Sequence, residues 1–304
     1  MTFQLTILGT SSALPTSNRY PTAQVLNILG RFFLIDCGEG TQTQMRKYKI
    51  GFSKINHIFI THLHGDHIFG LIGLISTFAL MGRKNDLHIY AYSELQKFLN
   101  DQIQFLYGNE ITFRIIFHPL NFKREQLIYE DKKTRVYSFP LFHRIPTCGF
   151  RFEEKPALPN LIPEKLKEYQ IPIRDRQRIK EGEDFVTPDG KVIPNVELTT
   201  SKFKPRSFAF CSDTRFDQSY IASVSGVDLL YHEATFAGDN KALALTTHHS
   251  TGEDAARVAS EAKVGKLIIG HFSARYKDPS VILKEAREIF LNTEAITEGQ
   301  VFSL

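Results

Sequence analysis

The run Thr61-His62-Leu63-His64-Gly65-Asp66-His67 puts three imidazoles and a carboxylate into six consecutive positions. Burying such a set without partners costs folding energy, because each group loses its hydration. Sharing a metal reverses the balance, since imidazole nitrogen and carboxylate oxygen are the ligands taken by zinc and neighbouring divalent ions. Lys54 to Ile60 reads as a buried strand and Ile68 to Ile75 as an apolar helix, so the cluster falls on a strand-to-helix turn. Alternate side chains of extended backbone share a face, which lets His62 and His64 grip one ion together. Asp66 and His67, turned by Gly65 into the helix start, point toward a neighbouring ion. The run is half of a site, and the other ligands have to arrive from distant strand ends.

At 304 residues the chain can bury a sizeable core as one domain, residues 1–304. A hydrophobic fraction of 42% and a charged fraction of 23% are ordinary for a globular protein and exclude disorder. No apolar run approaches the ~20 residues of a membrane span, and the first residues lack a signal-peptide layout, so the expectation is a cytoplasmic protein without membrane contact. Cys37, Cys148 and Cys211 are odd in number and widely spaced, which argues for reduced core residues and against disulfides or a thiolate metal site. The net charge of +4 is compatible with an anionic partner without demanding one.

Along the chain, Phe3, Leu5 and Ile7 alternate with polar residues and run into a tight loop at Gly9-Thr10-Ser11-Ser12. Val25–Leu29 and Phe32–Ile35, hinged at Gly30-Arg31, form an expected β-hairpin, followed by a helix from Gln42 to Lys49. Strands are expected over Leu87–Tyr92, Thr112–His118 and Thr134–Leu141, with a helix from Glu94 to Leu106. From Glu153 to Pro205 seven prolines and many charges interrupt any long element, which marks an inserted or protruding segment. Beyond it, apolar strands deliver Asp213 and His232-Glu233, and Lys266–Gly270 delivers His271. Helices are expected over Glu253–Lys263 and Pro279–Leu291. The pattern is α/β: sheets covered by helices, with strand ends converging on the site.

Taken together, His62-Leu63-His64-Gly65-Asp66-His67, the isolated His143, Ser212-Asp213-Thr214 and His271 resemble the metallo-β-lactamase superfamily with its αββα sandwich. Five further stretches resemble the ribonuclease Z branch, the tRNA 3′-processing endonucleases. They are Leu8 to Thr16, Asp36-Cys37-Gly38-Glu39-Gly40-Thr41-Gln42, His232-Glu233-Ala234-Thr235, His249-Ser250-Thr251, and His271-Phe272-Ser273-Ala274-Arg275-Tyr276. The resemblance implies one zinc ion on His62, His64 and His143, a second on Asp66, His67 and His271, and Asp213 between them. Manganese or another divalent ion is the alternative metal. It further implies attack by metal-bound hydroxide on a phosphodiester, with Asp66 orienting or deprotonating the water. Glu233 and His249 would protonate the departing 3′-oxygen, with His248 the rival for that role. Precursor tRNA would leave with a 3′-hydroxyl and the trailer with a 5′-phosphate.

Family members commonly act as homodimers whose arm grips tRNA. Here residues 153–205 are the expected arm, and Arg174, Arg176, Arg178 and Lys180 its candidate RNA contacts, with Lys202, Lys204 and Arg206 nearby. Acids interleave with these cations, and Ile171 to Gln177 lacks the family's usual Gly-Pro. His57, His88, His118 and His232 are read as structural. Two other functions compete. One is a superfamily hydrolase of a small ester, thioester, lactone or sulfate ester; the other is a non-catalytic RNA-binding protein, against which stands the complete ligand set.

Overall fold

A computed structural model of the chain describes residues 2–14, 16–108, 110–200 and 204–304, so Pro15 and Lys202 lie outside the described residues. The chain divides into two units: residues 1–130, 134–153 and 206–304, and residues 131–133 with 154–205.

The larger unit is an αββα sandwich of two seven-stranded sheets. The first runs in the order Val301–Ser303, Phe3–Gly9, Ala23–Ile28, Arg31–Ile35, Ile55–Phe59, Leu87–Ala91, Ile115–Pro119. Its first three pairings are antiparallel and its last three parallel. The second runs Thr293–Ala295, Lys266–Gly270, Leu229–Glu233, Ser207–Cys211, Thr147–Glu154, Thr134–Leu141, Gln126–Glu130. Side-chain alternation assigns the two faces. Phe33 and Ile35 enter the core between the sheets, while Leu34 enters the core beneath the helices Thr41–Lys47, Gly70–Leu80 and Glu94–Tyr107. Helices Gly252–Glu261 and Ser280–Ile289 cover the second sheet through Ala255, Ala259, Ile282 and Ala286.

The hairpin turns at Leu29-Gly30, both at positive φ (51° and 88°), which leaves Arg31 inside the second strand. The expected apolar helix after the histidine run is two pieces, Gly65–Ile68 and Gly70–Leu80. Their junction is set by a neighbouring loop. Cys37 N–H donates to the His67 carbonyl and Gly70 N–H to the Cys37 carbonyl, each at 2.8 Å. A Cβ at Gly70 would lie 2.1 Å from the Gly38 oxygen, so only glycine allows this approach. The strand expected from Thr112 begins at Ile115. Gln126–Glu130, Thr147–Glu154, Thr293–Ala295 and Val301–Ser303 are strands without a distinct sequence signal.

The smaller unit has its own core of Ile171, Ile179, Phe185, Ile193 and Leu198. Short helices Pro163–Glu168, Arg176–Lys180 and Asn195–Leu198 alternate with strand pairs of two residues each, Asn160–Leu161 with Thr199–Thr200 and Phe185–Val186 with Val192–Ile193. The prolines explain the shortness: Pro163 starts its helix, where its missing N–H costs nothing.

Between the sheets, Phe59 stacks on Tyr90 with centroids 4.5 Å apart and meets Phe150 and Phe152 edge-on at 5.5 and 5.4 Å. Phe59→Ala should therefore lower the unfolding free energy by about 3–5 kcal/mol in urea titration, since the surrounding rings leave little room for collapse.

Candidate active site

Asp36, His62, His143, Asp213, Glu233 and His271 all stand at or just past the ends of strands. Three of them, Asp36, Asp213 and His271, have left-handed backbone at φ 54°, 51° and 60°, as does His248 at 57°. Non-glycine residues hold that conformation at a cost, here where the strand has to swing its side chain into the centre.

Two groups of side chains converge. In the first, His62 Nε2 is 3.1 Å and His143 Nε2 3.3 Å from His64 Nδ1, and both ε-nitrogens face Asp213 Oδ2 at 3.4 and 3.7 Å. In the second, His67 Nε2 lies 3.4 Å from Asp66 Oδ2 and 3.3 Å from Asp213 Oδ1; His271 Nε2 lies 3.5 and 3.1 Å from the same two atoms. Asp213 thus presents one oxygen to each group. Ligands held at ~2.0 Å around a tetrahedral ion lie roughly 3.3 Å apart, the spacing found in both groups. The buried Nε2 atoms of His67 and His271 face the centre without a hydrogen-bond partner. The donor set and these orphaned atoms fit divalent metal ions.

A second layer orients the rings. His67 Nδ1–H donates to Asp36 Oδ2 at 2.7 Å, and the Thr61 hydroxyl donates to the same carboxylate while accepting from His62 Nδ1–H at 3.0 Å. On the other side the Thr235 hydroxyl donates to Glu233 Oε2 at 2.6 Å and accepts from His271 Nδ1–H at 2.9 Å. His143 Nδ1–H donates to the His248 carbonyl at 3.0 Å. Each bond sets the tautomer that leaves the inner nitrogen bare.

Burial lowers His62, with the neighbouring His67 adding to it, and takes His64 and His143 down to about 4, so these rings are neutral at pH 7. Burial would also lower His67, yet Asp213, Asp66 and Asp36 raise it well above the usual range. Asp213, despite burial, is held well below the carboxylate range by His271, His67 and His62. Asp66 is lowered likewise, burial being overcome by His67 and by His271, whose Nε2 atoms stand 3.4 and 3.5 Å from it; the Ala13 N–H also binds it at 2.8 Å. Such buried negative charge calls for cations beside it.

Glu233, fully buried, accepts from Thr214 N–H, Thr235 N–H, the Thr235 hydroxyl and His249 Nδ1–H, the last at 2.8 Å. Burial raises this carboxylate, but His249 brings it to about 2; burial lowers His249, but Glu233 brings it up to about 9. The turn carrying His249 is fixed by the capping box of Thr251 and Asp254 and by a Ser250 hydroxyl bond to the Thr214 carbonyl at 2.6 Å. His248 contributes its carbonyl, not its ring, to this network. His249 also lies within ligand range of Asp213 and His271.

The cluster opens into a cleft of about 790 Å³ lined by Asp66, Asp213, His249 and His271, with Phe69, Phe236, Arg144 and Arg275 among its walls. Across the first sheet His57, His88 and His118 stack on one another, and His232 bonds Tyr220 and the Glu233 carbonyl. All three cysteines are buried and free. In the smaller unit Arg174 pairs with Asp175 at 3.7 Å and Arg178 with Glu183, whereas Arg176 Nε is buried without a partner. Sequence reasoning did not single out Asp36, Thr61 and Thr235 as ring-orienting residues. Their signal was there: each adjoins a ligand or a strand end inside a quoted stretch.

Residues 3–156 match the family model described as Anti-Pycsar protein Apyc1, a region that stops short of Asp213, Glu233, His249 and His271. Ribonuclease Z of Bacteroides fragilis is 48% identical over 302 residues, 99% of each chain, and Ribonuclease Z of Porphyromonas gingivalis 44% identical over 296 residues, 97% of each. The chain belongs to the ribonuclease Z family. Human tRNase Z, short form, has a similar structure at 27% identity and a TM-score of 0.71, covering 99% of this chain and 98% of that one. The metallo-beta-lactamase fold protein YhfI from Bacillus subtilis, 17% identical with a TM-score of 0.71 over both full chains, shares the fold. Membership of the ribonuclease Z family sets the enzyme class, a hydrolytic endoribonuclease that uses divalent metal.

Asp36 touches both groups of ligands, one directly and one through Thr61. Asp36→Asn should weaken zinc binding about 10–100-fold in calorimetric titration of metal-free protein, while the far-ultraviolet circular dichroism stays that of the wild type.

Proposed function

We propose that this endoribonuclease removes 3′ trailers from precursor tRNA, leaving a tRNA 3′-hydroxyl and a trailer 5′-phosphate. The observation that carries the reading is the pair of ligand groups sharing Asp213, with the Glu233–His249 pair against it, in a chain 48% identical to a Ribonuclease Z. Two zinc ions, held by His62, His64 and His143 and by Asp66, His67 and His271 with Asp213 between, would supply Lewis acidity and a nucleophile at neutral pH. Asp66, fixed by the Ala13 N–H, orients or deprotonates the attacking water. His249, kept protonated by Glu233, donates to the leaving 3′-oxygen, which as an alkoxide would be a poor leaving group.

The segment 153–205 acts in this reading as the tRNA-contacting arm, with Arg174, Arg176, Arg178 and Lys180 tracking the phosphate backbone. The working enzyme is a cytoplasmic homodimer, for which light scattering should return twice the 34.7 kDa chain mass.

Metal-loaded protein should cut a trailer-bearing precursor tRNA at the acceptor end, mapped by sequencing gel, and Asp66→Ala should abolish the cut. Intact precursor alongside hydrolysis of small esters would overturn the reading. His249→Ala should cost about 10²–10⁴-fold in kcat on the precursor. On bis(p-nitrophenyl) phosphate, whose leaving group needs no proton, the loss should be far smaller; equal losses would remove His249 from the role of acid.

A further inference from the structure

Asp213 is the middle residue of Ser212-Asp213-Thr214, and both of its neighbours bear fully buried hydroxyls. The bonds those hydroxyls make lead to different ligand groups. The Ser212 hydroxyl donates to Asp213 Oδ1 at 2.9 Å, the oxygen that faces His67 and His271 at 3.3 and 3.1 Å. It does not reach for Oδ2, which faces His62 and His143. The two groups also differ in charge. The first sets three imidazoles beside one carboxylate oxygen, whereas the second sets two imidazoles beside two carboxylates, Asp66 and Asp213. Like charges held so close repel, and a hydrogen-bond donor on each carboxylate offsets that cost. Asp66 Oδ2 has the Ala13 N–H at 2.8 Å, and Asp213 Oδ1 has Ser212.

Thr214 works on the first group through the backbone. Its hydroxyl accepts from Phe142 N–H at 3.1 Å and donates to the Arg215 carbonyl at 2.9 Å, while Arg215 N–H donates to the Phe142 carbonyl at 3.0 Å. These bonds fix the residue just before His143, the histidine of the first group that lies outside the run from His62 to His67. The ring of His143 is oriented by the His248 carbonyl, but where that ring stands depends on the loop that Thr214 pins. Groups that orient a ligand in this way govern metal affinity nearly as strongly as the ligands do.

We propose that Ser212 and Thr214 are positioning residues with divided roles: Ser212 holds Asp213 Oδ1 for an ion in the second group, and Thr214 holds His143 for an ion in the first. The assignment rests on the reading of two metal positions that share Asp213, and it names what sets their affinities separately.

Calorimetric titration of metal-free protein with zinc tests it, on Ser212→Ala and on Thr214→Val, which keeps the side-chain shape. Ser212→Ala should weaken one of the two bound equivalents about tenfold and leave the other within about twofold, and Thr214→Val should weaken the opposite one. Thr214→Ser, which keeps the hydroxyl, should bind as the wild type does, and the far-ultraviolet circular dichroism should be the same for all. Backgrounds that retain a single group assign the positions. With His271→Ala the remaining ion should respond to Thr214→Val and not to Ser212→Ala; with His143→Ala the responses should reverse. Loss at both positions from either variant, loss at the same position from both, or no loss at all would overturn the assignment. If the wild type takes up a single equivalent, the two-position reading fails by itself. The division of roles then stands where just one of the two variants weakens that ion, and falls where both or neither do.

Discussion

The buried carboxylate of Asp213 lies between four imidazoles, and much of the larger unit is arranged so that it can stay charged there. Its two oxygens face different histidine groups, so the separation of those groups is set by the width of one carboxylate. To put it there the chain accepts a left-handed backbone at the end of the strand Ser207–Cys211. The flanking strands, parallel to it or paired in the same sheet, then bring Glu233, His271 and His143 to the same end. The first sheet supplies the other half, and the aromatic contacts between the sheets hold the halves together.

Around this centre the same device is used twice. A buried carboxylate accepts from a threonine hydroxyl, and the threonine accepts from a ligand imidazole: Asp36, Thr61 and His62 on one side, Glu233, Thr235 and His271 on the other. Each carboxylate also takes a second imidazole directly, His67 and His249 respectively. The chemical outcome differs. His67 turns its unpartnered Nε2 to the centre between Asp66 and Asp213, whereas His249, facing Glu233, stands at the mouth of the cleft.

Much of this was legible before any coordinates. Six consecutive residues required a metal, the spacing in an extended segment separated His62 and His64 from Asp66 and His67, and the stretches around Glu233 and His249 pointed to the family. Other features were opaque for a physical reason. The break between Gly65–Ile68 and Gly70–Leu80 follows from hydrogen bonds to the loop at Cys37, thirty residues away in the chain. The short strands at the sheet edges carry no full period of alternation, and their pairing depends on neighbours from the opposite end of the sequence.

By itself the sequence determined which chemistry the chain can hold, because ligand identity is a property of side-chain atoms and is written locally. It also determined the strands and helices that bury a continuous apolar face. Only the tertiary structure decided how these groups are held: which threonines and carboxylates orient the rings, and that His248 offers its carbonyl rather than its ring. Those choices depend on angstrom-scale distances between residues scores of positions apart, set by how two sheets pack and how three strained residues turn at their strand ends.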